Sequence, residues 1–281
     1  MSKKCAGEYQ EILEFFARYL EDKGRSENTI KTYLGVLQSF FNWLKNRHGN
    51  IPELSKNEIQ VYMNYLESEQ RSAATVEKVF RTLTVFARYI NQPQITDDIY
   101  RKEKLGDKTA PESLAENEVE YLLREIEQVG NERNTAIVYT LLYTGIRVSE
   151  LCSLNRSDIE TGFITIKSRK DDDKGRTIPM SKAFSNHLKT YLESRTDSHE
   201  ALFISNYQKR ISPRTVQHML KPYGVHPHKL RHTFCYELVQ KGVDLSIIAE
   251  LAGHSDINVT KQYVKLSKRS ELEHAISKMF A

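Results

Sequence analysis

Chemistry in this chain would have to come from a few polar residues set at the ends of apolar runs. Tyr143-Thr144-Gly145-Ile146-Arg147-Val148-Ser149-Glu150-Leu151 closes one such run, breaks at a glycine and sets Arg147 beside a new helix start. His226-Pro227-His228-Lys229-Leu230-Arg231-His232 places His228 and Arg231 three apart, on one face if the segment is helical. Leu251-Ala252-Gly253-His254 stops a further apolar helix at a glycine, leaving His254 just past the end, with Tyr263 nine residues on. An arginine fork holds two phosphate oxygens at once, a histidine exchanges a proton near neutral pH, and a tyrosine hydroxyl can be a nucleophile. Together these types suit a phosphate under attack. Singly they read more blandly: Arg147 as a surface arginine, and Tyr263, one of 15 tyrosines, as part of an amphipathic segment.

Two rival uses of the same residues stay open at this level. His226, His228 and His232 are clustered and His254 could join them as metal ligands, although no HExxH helix or cysteine pair accompanies them. Ser255, Asp256 and a histidine can be assembled into a nucleophile and base, but without a Gly-x-Ser-x-Gly turn. Loops of the GxxxxGK[ST] or GxGxxG type are absent, which argues against nucleotide hydrolysis. Cys5, Cys152 and Cys235 are far apart and form no CxxC pair, so reduced, structural thiols are expected.

The elements that must carry these residues are mainly helical. With 281 residues, 39% hydrophobic and 28% charged, the chain is neither disordered nor low in complexity, and its length favours two domains. Ile30, Tyr33, Leu34, Leu37, Phe40, Phe41 and Leu44 form a helical stripe behind Ser26 as N-cap. Ser55-Lys56-Asn57-Glu58 is a capping-box pattern before the stripe Ile59, Tyr62, Met63, Leu66. Val76, Val79, Phe80, Leu83, Phe86 and Ile90 continue the pattern, and Ile12, Phe16, Tyr19 and Leu20 precede it, so a bundle of about four helices is expected over 1–92. Pro93, the mixed charges of Tyr100 to Lys104, Gly106 and Pro111 mark 93–112 as a linker. Beyond it, 113–281 reads as a mostly helical domain with a small antiparallel sheet, because Phe163 to Lys167 and Arg176 to Pro179 are short β-rich runs flanking polar Ser168 to Gly175.

The formal charge of +4 is compatible with nucleic acid and is split evenly, +2 in residues 1–110 and +2 in the rest, so a DNA-binding face would be a local patch. No apolar run approaches the roughly 18 residues of a membrane span, and the polar start Gly7-Glu8-Tyr9-Gln10 is no secretory signal. A cytoplasmic protein is the expectation.

Read in order, the constellation resembles the tyrosine recombinase (phage integrase) family. The matching segments are Thr144 to Leu151 for the first arginine box, His228-Lys229-Leu230-Arg231-His232-Thr233-Phe234 for the HxxR box, and Leu251 to Ser255 followed by Tyr263 for the nucleophile segment. Gly24-Arg25-Ser26-Glu27-Asn28-Thr29-Ile30-Lys31-Thr32-Tyr33 resembles the signature of the family's SAM-like, helical core-binding domain, and Leu114 to Leu123 the opening of its catalytic domain.

The resemblance implies a mechanism. Tyr263 would attack a DNA phosphodiester, forming a 3′-phosphotyrosyl link and releasing a 5′-hydroxyl that later attacks the partner strand. Arg147 and Arg231 would hold the non-bridging oxygens and stabilise the pentavalent phosphorus, with no metal or other cofactor required. His228 would assist proton transfer from Tyr263, His254 would hydrogen-bond the phosphate, and Glu150 would anchor the cluster. The family also places a lysine on a β-hairpin turn as general acid. Here the turn departs from the usual Gly-Lys-Gly form; Lys170 aligns best with one inserted residue, while Lys174 matches a second, less critical lysine. Asp171, Asp172 and Asp173 beside it would repel a phosphate unless they point elsewhere.

With about a dozen residues before the first helical stripe, the chain resembles the simpler two-domain members, the Xer proteins and TnpI-like transposon cointegrate resolvases. Members of this kind act as homotetramers on paired DNA sites, each protomer clamping the duplex between its domains. The apolar stripe Leu272, Ala275, Ile276, Met279 and Phe280 is then expected to form a C-terminal helix exchanged with a neighbouring protomer. Accessory DNA sites or proteins are further expected partners. The expected activity is site-specific resolution, integration or excision of DNA. A DNA-binding protein with a decayed site and a sequence-tolerant type IB topoisomerase are the alternatives.

Overall fold

The computed structural model describes residues 4–48, 54–101, 112–168, 175–254 and 256–264, with side chains from residue 10 onward. The chain divides into two compact units, residues 1–107 and 108–281.

The first unit is built from α1 (Lys4–Asp22), α2 (Glu27–His48), α3 (Lys56–Ser68) and α4 (Ala73–Tyr89). Hydroxyl caps begin three of these helices: Ser26 accepts from the Thr29 N–H, Ser55 from the Glu58 N–H and Ser72 from the Thr75 N–H, each satisfying a backbone donor that the first turn leaves without a partner. The stripes converge on Phe16, Leu37, Phe40, Leu44, Met63, Leu83 and Phe86, all buried. Each such side chain contributes on the order of 2 kcal/mol by leaving water. Residues 93–101, which carry linker signals in the sequence, fold onto the same core. Pro93–Thr96 is a turn of 3-10 helix, Ile95 and Ile99 are buried, and the Arg101 guanidinium lies 3.5 Å from the centre of the Phe80 ring.

The second unit has α5 (Glu116–Gln128), α6 (Glu132–Thr144), α7 (Val148–Ser153), β1 (Ile159–Glu160), β2 (Phe163–Ile166), β3 (Arg176–Pro179), α8 (Lys182–Ser194), α9 (Pro213–Leu220), α10 (Pro227–Gln240) and α11 (Leu245–Ala252), then helical residues 257–264. The strands form an antiparallel sheet in the order β1-β2-β3, with Ile164 opposite Ile178 and Ile166 opposite Arg176. Helix α6 is buried from Thr135 to Leu142, so it forms the centre of the unit, against which α5, α8 and α10 pack. Both helices that end at the sequence's polar segments stop at left-handed glycines, Gly145 (φ 60°) after α6 and Gly253 (φ 68°) after α11. Among the described residues no helix is long and apolar enough to cross a membrane.

Candidate active site

Helix α6 must end where it does because Gly145 takes the left-handed conformation and has no room for a side chain: a Cβ there would lie 2.2 Å from the Phe234 ring. Two residues on, Arg147 caps α7, and its backbone N–H donates to Glu150 Oε2 at 2.7 Å. The Arg147 side chain donates from Nη1 to Glu150 Oε1 at 3.3 Å and from Nη2 to the Gly253 carbonyl at 2.9 Å, while remaining 43% exposed. Arg231, on α10, is buried and donates from Nη1 to the Gly145 carbonyl at 2.6 Å. Its guanidinium is thus tied to the turn that presents Arg147.

His254 follows Gly253, its N–H donating to the Ala249 carbonyl at 2.8 Å and its Nδ1 lying 2.9 Å from Thr260 Oγ1. Its ring lies parallel to that of Tyr263, centroids 6.4 Å apart. Tyr263 is only 1% exposed, and its hydroxyl lies 2.6 Å from His232 Nδ1. The structure therefore brings Arg147, Glu150, Arg231, His254 and Tyr263 into one network with His232, and sets the His228 ring 6.4 Å from that of His232. Lys170, Lys174 and Asp171 to Asp173 lie outside the described residues, as do Ser255 and the apolar tail from Leu272 to Phe280.

Two participants are not among the expected catalytic residues. Arg176 opens β3 and reaches across the sheet's end. Its Nη1 and Nη2 donate to the two Glu150 oxygens at 3.1 and 2.9 Å, and its Nε donates to the Leu251 carbonyl at 2.7 Å. The available signal is strand periodicity: Arg176 shares a face with Ile178, opposite the buried Ile166. His232 is the second: it sits inside the HxxR box, where the sequence offers it only as one of the clustered histidines, and its contact with Tyr263 comes from the fold. No group of His, Cys, Asp and Glu among the described residues is arranged to hold a metal ion.

The electrostatics follow from the arginines. Burial by itself raises the Glu150 carboxyl, but the Arg176 hydrogen bonds, the Arg147 backbone bond and both positive charges outweigh it and hold the group below its ordinary value. Burial, then the neighbouring positive charges, push His228 and His232 down and His254 down to about 4, so all three imidazoles are neutral near pH 7. Burial first, then the neighbouring Cys235, raises the Tyr263 phenol. Three guanidinium groups with one bonded carboxylate make a concentration of positive charge that an anion would neutralise. A phosphodiester held there would gain forked hydrogen bonds from preformed donors.

A family model for the phage integrase family matches residues 112–270, and one for the phage integrase N-terminal SAM-like domain matches residues 12–97. The chain is 34% identical over 279 residues to the tyrosine recombinase XerA of Pyrococcus furiosus, covering 95% of this chain and 93% of that protein. It is 28% identical over 269 residues to the TnP I resolvase of Bacillus thuringiensis, covering 90% of this chain and 94% of that protein. The crystal structure of the XerH site-specific recombinase bound to a palindromic difH substrate shares the fold, with a TM-score of 0.72 at 21% identity, over 96% of this chain and 84% of that one.

Proposed function

The chain belongs to the phage integrase family, and from that membership we propose that it is a tyrosine site-specific recombinase, which cleaves and rejoins DNA through a 3′-phosphotyrosyl intermediate. The observation that carries the reading is the joining of chain-distant boxes around uncompensated positive charge. Arg231 is bonded to the Gly145 carbonyl, Arg147 to the Gly253 carbonyl, and Tyr263 lies beside His254 and His232.

In this reading Arg147 and Arg231 hold the non-bridging oxygens of the scissile phosphate and stabilise the charge of the pentavalent transition state. Tyr263 is the nucleophile, His254 hydrogen-bonds the phosphate, and His228 assists proton transfer. Lys170 protonates the departing 5′-oxygen, and Glu150 keeps Arg147 in register. The substrate is double-stranded DNA with a specific core site, belonging to a mobile element or a replicon in the cytoplasm. The active assembly is a homotetramer whose C-terminal segments are exchanged between protomers. The resolvase among the similar proteins favours resolution of joined replicons over a purely relaxing, topoisomerase-like activity.

The test is covalent trapping. The protein is incubated in EDTA with a supercoiled plasmid carrying DNA from beside its own gene, the reaction is stopped with SDS, and the DNA-linked peptide is mapped. An adduct on Tyr263 that disappears in Tyr263→Phe is expected. Specific DNA binding without an adduct, or an adduct that requires a divalent metal, overturns the reading. Relaxation of any supercoiled plasmid irrespective of sequence would make the enzyme a topoisomerase instead.

A further inference from the structure

A non-bridging phosphate oxygen can only accept a hydrogen bond, so a histidine that bonds it has to present an N–H. Burial, then the charges of Arg231 and Arg147, holds His254 down at about 4, so its ring is neutral near pH 7 and carries a single proton, on Nδ1 or on Nε2. Which nitrogen bears that proton is set by the hydrogen bond made at the other.

At Nδ1 the partner is Thr260, whose Oγ1 lies 2.9 Å away. Thr260 is fully buried, and a buried hydroxyl needs an acceptor for its proton within the protein. Four other buried threonines in helices, Thr82, Thr140, Thr144 and Thr233, turn their hydroxyls back to the carbonyl four residues earlier. Thr260 does not: among the described residues its hydroxyl meets no acceptor other than His254 Nδ1. We propose that Thr260 is a positioning residue of the cleavage site, whose hydroxyl donates to His254 Nδ1, fixes the imidazole in its Nε2–H form and so keeps Nε2–H as the donor to the scissile phosphate. This rests on the recombinase reading and deepens it.

The surrounding bonds suit the role. Thr260 and Tyr263 are three apart within the helical residues 257–264, on one face, and the His254 ring lies parallel to that of Tyr263. One hydroxyl therefore ties the helical turn of the nucleophile to the turn at Gly253. That turn is held from behind, since Arg147 Nη2 donates to the Gly253 carbonyl, Arg176 Nε to the Leu251 carbonyl and the His254 N–H to the Ala249 carbonyl. The ring is thus anchored through its backbone and at Nδ1, while Nε2 has no protein partner among the described residues. Without the hydroxyl the ring can turn over about its Cβ–Cγ bond, or its proton can move to Nδ1. Either change takes the N–H away from the phosphate.

Thr260→Val removes the hydroxyl and keeps the branched shape, whereas Thr260→Ser keeps the hydroxyl. On a nicked suicide substrate in single turnover, Thr260→Val should cleave about tenfold more slowly, the loss that one misdirected hydrogen bond gives, and Thr260→Ser should stay within threefold of wild type. In a His254→Ala background Thr260→Val should add no further loss, because it acts through that ring alone. Equal losses in the two backgrounds, or from Val and Ser alike, would give Thr260 a packing role only and overturn the inference. Cleavage by Thr260→Val within threefold of wild type also overturns it and leaves the recombinase reading standing; a wild-type protein that forms no Tyr263 adduct overturns both. Independently of how any variant folds, the 15N spectrum of histidine-labelled wild-type protein at pH 7 should show His254 protonated on Nε2 and bare on Nδ1. A proton on Nδ1 would overturn the inference.

Discussion

The Arg176 guanidinium occupies the space where a side chain at Gly253 would have to begin: a Cβ there would stand 2.7 Å from Nη1 and 2.8 Å from Cζ. Gly253 is therefore more than a helix stop. Its left-handed backbone turns the chain toward His254, its carbonyl holds Arg147, and its bare Cα admits the arginine that holds Glu150. Gly253→Ala should lower stability by on the order of 1–3 kcal/mol through backbone strain and the displaced guanidinium. That corresponds to a loss of roughly 2–10 °C in melting temperature, with at least a tenfold loss of cleavage. In a double-mutant cycle, Arg176→Ala should soften the thermal effect of Gly253→Ala, since the clash partner is gone. Strict additivity by calorimetry would show that the two do not share the space.

Much of this site was legible in the sequence where its geometry is local. Arg147 and Glu150 are three apart and meet as a helix cap; His228 and Arg231 share a helix; the glycine stops of α6 and α11 fall where the apolar runs end. The helical stripes of the first ninety residues likewise become its core. What was not legible depends on distant packing. Arg176 lies 26 residues from Glu150, in a strand where only its face suggested burial, and the 31-residue separation of His232 from Tyr263 has no local periodicity to betray it. Residues 93–101 look like a linker because proline and mixed charge dominate them, yet two isoleucines suffice to bind them to the first core.

The two arginines should fail in different ways. Arg147 is partly exposed, so Arg147→Ala should cost cleavage about 10²–10³-fold, the range for a lost transition-state donor, with little change in melting temperature. Arg231 is buried and supports the Gly145 carbonyl, so Arg231→Ala should lose a comparable factor in cleavage and also destabilise the fold by about 1–3 kcal/mol through the orphaned carbonyl. Thermal denaturation beside single-turnover cleavage reads both. Equal stability of the two variants would refute the structural part of Arg231's role.

Burial of the proposed nucleophile, Tyr263, has a consequence that can be measured without DNA cleavage. At 1% exposure, Tyr263 is closed to reagent, whereas Tyr207 at 87% exposure is open. N-acetylimidazole, with peptide mapping, should acetylate Tyr207 quickly and leave Tyr263 untouched in the free protein. Labelling of both at similar rates would mean that the helical turn at 257–264 opens freely before any DNA arrives.

The histidines give stability a pH dependence whose sign is fixed. Burial, then the charges of Arg231 and Arg147, lowers His254 to about 4 from an ordinary value of 6.5. Between those values the unfolded chain binds the proton and the folded one does not, so stability rises with pH across that window. The contribution is present above pH 6.5 and is lost as the pH falls through 4. His228 and His232 are lowered too and act in the same direction. Glu150, held below 4.5, loses its contribution only in more acidic solution, which leaves pH 4.5–6.5 to the imidazoles. The melting temperature should therefore fall from pH 7 to pH 4.5, and His254→Gln, which retains a polar partner for Thr260, should have a shallower slope without flattening it. An unchanged slope in the variant would mean that His254 takes its proton as readily folded as unfolded, and that the arginines' field does not reach the ring.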